Sequence, residues 1–321
     1  MDDSEFKHRV QDEIEKFAHS SDIPYDRPNP LLNFETWAKG WKHVNAYCMA
    51  RLSVLAYQDF GLIKERLSEA DIKASDVCWF ENKSTDTQGF GFIWDGNIFL
   101  CFRGTESMRV TIIDIKRKQV NFDNNNTKLG SVHQGFSEAT ISIWPDVEKF
   151  LKERAQNKPV WVTGHSLGGA IATIIAARIV HNEKVGNLAA LYTFGQPRVG
   201  NKKFHKEFTK KIGGQSKLKK QVFRIYRAAD PVPMMPYFGY THISGERCYI
   251  ARSGEMTIGT RRKQKYLDRA ITYLTVLPRV LTEGGRINEL KSLVSDHYSS
   301  GYLKKLRENL FTSITLKTKD D

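Results

Sequence analysis

Serine is a poor nucleophile on its own. It becomes a good one beside a base, an acid that orients the base, and donors for the oxyanion that forms. Gly164-His165-Ser166-Leu167-Gly168 fits the G-x-S-x-G pattern. The pattern is short, and its surroundings give it weight. Val160-Trp161-Val162-Thr163 reads as a strand entering it, and Gly169-Ala170-Ile171-Ala172 as a helix leaving it. A turn tight enough to join the two forces the serine into a strained backbone conformation and demands glycine two residues away. The hydroxyl then stands above the sheet edge, at a helix N-terminus whose N–H groups and dipole face the reacting atoms. The alternative is a glycine-rich turn with an incidental serine, and the strand and helix on either side weigh against it.

The acid and base should follow in the chain order Ser, Asp or Glu, His. Asp230 is the best-placed acid. It lies in Arg227-Ala-Ala-Asp-Pro-Val-Pro233, just past the apolar run 222–226, where a parallel sheet puts its active loops. An Asp-Pro turn initiator explains the same residues, and spacing does not separate the two readings. Two histidines follow Asp230: His242 in Phe238-Gly-Tyr-Thr-His242 and His297 in Ser295-Asp-His-Tyr298. Spacing leaves both open as the base.

The elements that must position these residues show in the periodicity. Helical faces appear at 4–19 and 41–58, separated by a Pro-, Asp- and Asn-rich linker or strap at 20–35. Strands are expected at 77–80, 90–94 and 98–102, the last two joined across Asp95-Gly96. A mixed segment runs to about 130. A helix follows over 137–155, with Pro145 as a kink point. Strand 160–163, an all-round apolar helix 168–181, and strands 189–194 and 222–226 complete an alternation that argues for a parallel sheet with helices on its faces. Lysines crowd 202–220, read as a solvated loop, and a basic-flanked apolar helix is expected at 265–281. A last helix spans 298–310.

Bulk properties limit the function classes. The chain has 321 residues, 40% of them hydrophobic, and a formal charge of +13. That is enough for one large domain, or two small ones, with a real core. The charge fits nucleic acid, an anionic membrane or an acidic protein. No helix-turn-helix, zinc or aromatic-stacking motif accompanies it, so nucleic acid is not expected. No signal peptide and no transmembrane run is visible, which favours a cytoplasmic location. Cys48, Cys78, Cys101 and Cys248 form no CxxC pair and read as free, mostly buried thiols. No Walker A, HExxH or Rossmann fingerprint is present, so neither cofactor nor metal is expected.

Taken in order, the motifs resemble the class 3 lipase family. Cys101-Phe-Arg-Gly-Thr105, Val132-His-Gln-Gly-Phe136, Thr163-Gly-His-Ser-Leu-Gly-Gly-Ala170, Tyr192-Thr-Phe-Gly-Gln-Pro-Arg-Val-Gly-Asn201, Asp230-Pro-Val-Pro233 and Asp296-His297-Tyr298 carry the resemblance. It covers about 41–252 and again 293–303. It implies an α/β-hydrolase fold, with a mostly parallel central sheet, helices on both faces and a short lid after Thr105. One domain would span 1–321, with an N-terminal helical extension over 1–40 and a helical insert at about 255–290.

The resemblance also implies the roles. Ser166 is the nucleophile, Asp230 the acid and His297 the base, while His242, His133 and His165 match positions that are not the base. The oxyanion donors would be the backbone N–H of Leu167 and the N–H and hydroxyl of Thr105, supported by Asp114. The segment 107–118 departs from the family's usual Asp-Trp but still presents Met108, Val110, Ile112, Ile113 and Ile115, as a lid would. The implied activity is hydrolysis of tri- or diacylglycerol esters through an acyl-enzyme. Basic stretches at 202–220 and 261–269 suit peripheral association with an anionic lipid surface and keep a phospholipase A1 reading alive. A non-catalytic lipid- or protein-binding scaffold ranks lower, since all three triad candidates are present.

Overall fold

The computed structural model describes residues 29–104, 118–124, 127–155, 158–182, 185–228, 230–236, 238–243, 245–251, 253–259 and 301–309. All of the lid candidate 107–118 except Lys118, most of the insert, and the first helix expected from the sequence lie outside these residues.

The strands run β1 (Val77–Asn82), β2 (Thr87–Trp94), β3 (Asn97–Phe102), β4 (Gln119–Asn124), β5 (Thr127–His133), β6 (Pro159–His165), β7 (Asn187–Phe194), β8 (Val222–Arg227), β9 (Glu246–Ile250) and β10 (Met256–Ile258). Eight of them form one sheet in the order β1-β2-β3-β6-β7-β8-β9-β10. The neighbours from β3 to β9 pair in parallel, and antiparallel strands close both edges. β4 and β5 form a separate hairpin within the segment expected to be mixed.

The helices are α1 (His43–Leu55), α2 (Phe60–Ser68), α3 (Gln134–Arg154), α4 (Leu167–His181), α5 (Lys202–Lys211) and α6 (Gln215–Gln221), with α7 over 301–309. Pro145 sits inside α3, which runs on through it. Strand alternation sorts the core into two layers. In β3 and β6, Ile98, Leu100, Phe102, Val160 and Val162 face α3, α4 and α5. Phe99, Cys101 and Trp161 face the opposite layer, with α1, α2 and α7. Because both faces are covered, the parallel strands read as nearly unbroken apolar runs.

Residues 29–40 run as turns. Residues 29–35 are the described part of the linker or strap expected at 20–35; Leu31 and Phe34 are buried, and the Asn45 amide is bonded to both the N–H and the carbonyl of Glu35 at 2.8 and 2.9 Å. The lysine-rich stretch is not a loop. It folds into α5 because Phe204, Phe208 and Ile212 recur four residues apart and pack inward, and into α6, which buries Leu218. β10 takes the first residues assigned to a helical insert. Cys48, Cys101 and Cys248 are buried free thiols and Cys78 is half-buried.

Candidate active site

The chain leaves β6 and enters α4 through Ser166, whose backbone lies at φ 56°, ψ −125°. A non-glycine residue rarely adopts a positive φ, and holding it there requires its surroundings to fix the turn. They do so through backbone contacts. The Ser166 N–H donates to the Phe194 carbonyl at 2.9 Å, and its carbonyl accepts from Gly169 and Ala170 at 3.0 and 3.2 Å. Close packing supplies the rest. A Cβ on Gly164 would overlap Gly168, and one on Gly168 would overlap the Phe102 carbonyl. These two glycines let the strand, the turn and the end of β3 meet.

Beside the turn, a Cβ on Gly104 would lie 3.3 Å from Ser166 Cβ and 3.0 Å from the His165 carbonyl oxygen. The chain therefore passes against Ser166 immediately before Thr105. Thr105 and Asp114 lie outside the described residues. The Leu167 N–H, first in α4, has no hydrogen-bond partner among the described residues. A free N–H at a helix N-terminus next to a strained serine is what an oxyanion donor requires.

Asp230 follows β8 and is buried, with 3% of its surface exposed. Its Oδ1 accepts from the Val232 N–H at 2.9 Å, and its Oδ2 accepts from the Tyr302 hydroxyl at 2.6 Å. The Tyr302 hydroxyl also accepts from the Arg227 N–H at 3.0 Å. Burial, then the Asp230 charge and hydrogen bond, push the Tyr302 phenol well above its usual range, so it remains a donor. The Tyr302 ring stands 5.9 Å from the His165 ring and 6.4 Å from Phe194. Tyr302 thus touches both the acid loop and the residue before Ser166. The sequence shows only an aromatic residue five positions after His297, and nothing in its type points to Asp230.

Three other histidines have described surroundings. His165 is fully buried, with Nδ1 2.9 Å from the Tyr57 hydroxyl. Tyr57 was not singled out from the sequence. His133 ends β5, its ring tilted against that of Phe136 with centroids 4.3 Å apart. The Nε2 of His242 is 2.6 Å from the Pro233 carbonyl, which ties His242 to the Asp230 loop. His297 lies outside the described residues.

Comparison with known proteins fits this geometry. The family described as Lipase (class 3) matches residues 99–240. A secreted mono- and diacylglycerol lipase of Penicillium cyclopium is 32% identical over 239 residues, 72% of this chain and 73% of that protein. The chain belongs to the class 3 lipase family. It is thereby a carboxylic-ester hydrolase of the α/β-hydrolase fold. A secreted mono- and diacylglycerol lipase of Fusarium solani is 38% identical over 120 residues, 36% of this chain. That alignment spans only 33% of the Fusarium protein. Among solved structures, a triacylglycerol lipase with a serine-protease triad at its catalytic centre superposes with a TM-score of 0.53. It is 25% identical, over 69% of this chain and 87% of that one. This class 3 lipase carries the family's elbow on β6 and α4, and its acid candidate on the loop after β8.

Proposed function

We propose that this lipase cleaves acylglycerol esters, mono- and diacylglycerols foremost, through an acyl-enzyme on Ser166. His297 takes the Ser166 proton as the hydroxyl attacks the ester carbonyl. Asp230 orients the imidazole and stabilises the imidazolium. The oxyanion is held by the N–H of Leu167 and by Thr105, each donor contributing about 3 kcal/mol. The imidazolium then protonates the departing alcohol, and water activated by His297 releases the fatty acid.

The observation that carries this reading is the elbow: a positive-φ Ser166 capping α4, the Leu167 N–H beside it with no partner among the described residues, and the segment leading to Thr105 packed against it. The role of His297 is supported by chain length. Tyr302 is bonded to Asp230 and lies five residues beyond His297, a stretch that reaches at most about 17 Å when extended. The substrate class is supported by the names of the Penicillium and Fusarium relatives.

The test is a substrate panel. Wild type and Ser166→Ala would be assayed on p-nitrophenyl esters of increasing chain length, then on monoacylglycerol, diacylglycerol and phosphatidylcholine. Turnover that is best on the acylglycerols and lost in Ser166→Ala supports the proposal. Equal rates for both proteins would overturn it, and a clear preference for phosphatidylcholine would favour the phospholipase A1 reading.

A further inference from the structure

α5 carries a row of charge that its own stability does not explain. Lys202, Lys206 and Lys210 are four residues apart, and Lys203 stands beside them on the same face; all four are exposed. Like charges at this spacing repel. Lys202 and Lys203 also sit in the first turn, where the helix dipole disfavours a cation and where no acidic residue is present. None of the four joins an ion pair among the described residues. Glu207, the one acid on α5, acts with Lys211 on His181 of α4 instead. The opposite face is firmly fixed: Phe204 and Phe208 are buried, and Asn201 caps the helix by accepting from the Phe204 N–H at 2.9 Å. Three further exposed lysines, Lys217, Lys219 and Lys220, follow on α6 around the buried Leu218.

Position adds to composition. The chain reaches Lys202 from the end of β7, whose Phe194 carbonyl takes the Ser166 N–H. A helix joining parallel strands runs back against them, so Lys202 and Lys203 stand at the Ser166 end of the sheet.

We propose that the stripe Lys202, Lys203, Lys206 and Lys210 docks this lipase on an anionic lipid surface, each ammonium meeting headgroup phosphates. This rests on the reading of the protein as an enzyme of lipid esters, which makes a lipid surface the partner that brings substrate to Ser166. Locally unneutralised cations on a rigid helix suit a layer of phosphates, where each contributes roughly a fivefold gain in partitioning.

The experiment is co-sedimentation with sucrose-loaded vesicles of phosphatidylcholine, with and without phosphatidylglycerol, beside a single-stranded RNA arm. Wild type should favour the phosphatidylglycerol vesicles by at least about fiftyfold, and rising salt should erase the preference. The variant Lys202→Gln/Lys203→Gln/Lys206→Gln/Lys210→Gln should lose most of it, while its turnover of soluble p-nitrophenyl butyrate stays at the wild-type level. That turnover separates loss of docking from failure of the catalytic reading, and the salt series on wild type stands even if the variant misfolds. Equal partitioning onto both vesicles, a salt-independent preference, unchanged binding by the folded variant, or binding to RNA but not to vesicles would each overturn the proposal.

Discussion

The Tyr302 hydroxyl donates to Asp230 Oδ2 at 2.6 Å, with both side chains buried. The bond joins the last described helix to the loop after β8, and so the chain that follows His297 to the acid proposed to orient it. Removing the hydroxyl leaves Asp230 with one donor fewer and the Arg227 N–H without that acceptor.

Tyr302→Phe should therefore do two things. Stability should fall by about 1–3 kcal/mol, as for a buried polar group left unsatisfied. The carboxylate, with its charge less dispersed, should favour the imidazolium more, so the acidic limb of kcat/KM should move to higher pH by a few tenths of a unit. A pH profile on a soluble ester, read beside a urea melt, checks both. Lost stability with an unmoved acidic limb would leave Tyr302 a packing residue only.

The two histidines that follow Asp230 make opposite predictions. His297→Ala should lower kcat by at least about a thousandfold, as loss of a triad base does. His242→Gln keeps an amide donor that reaches the Pro233 carbonyl, as Nε2 does, and should stay within about tenfold of wild type. The reverse ranking, measured by steady-state kinetics on the same ester, would move the base to His242.

The elbow has no room for a methyl group at Gly168, where a Cβ would overlap the Phe102 carbonyl oxygen. Gly168→Ala should destabilise the protein by at least about 2 kcal/mol. It should also lower kcat by about a hundredfold, because the shift needed to relieve the overlap displaces Ser166 and the Leu167 N–H together. Chemical denaturation and kinetics at a temperature where the variant is folded would separate the two effects.

Buried neutral groups give the protein an alkaline limit. Burial pushes the Cys48 thiol up to about 12, against the opposing charge of Arg51. Burial likewise raises the Cys101 and Cys248 thiols and the Tyr192 and Tyr302 phenols. In the unfolded chain these groups release protons from about pH 8.5 for thiols and about pH 10 for phenols, whereas the folded protein holds them. The unfolded state then binds fewer protons, so stability is intact below those values and falls as pH rises through them. Urea midpoints should drop steadily from about pH 9 to about pH 11. A flat profile would mean that these side chains reach water.

Much of this is legible in the amino-acid sequence. The apolar strand 160–163, the flanking glycines and the apolar helix located Ser166. The runs at 98–102, 189–194 and 222–226 located its neighbours in the sheet, because strands covered on both faces must be apolar throughout. What stayed hidden was polar or depended on tertiary contact. The β4–β5 hairpin carries Asn, Gln, Lys and Ser along much of its length and shows little alternation. The two Lys-rich helices were obscured by their charge, although Phe204, Phe208 and Ile212 mark an inward face. Spacing gave no ground for choosing between His242 and His297, and none for bringing Tyr302 to Asp230. The Tyr302–Asp230 contact forms only when α7, far along the chain, packs against the loop after β8.

The most direct measurement is to treat the protein with a fluorophosphonate and map the adduct by peptide mass spectrometry. A serine activated by a base and facing an oxyanion site should be phosphonylated stoichiometrically at Ser166, with acylglycerol hydrolysis lost in step, and Ser166→Ala should remain unlabelled. An adduct on another residue, or full hydrolysis by a protein whose Ser166 is blocked, would contradict the account.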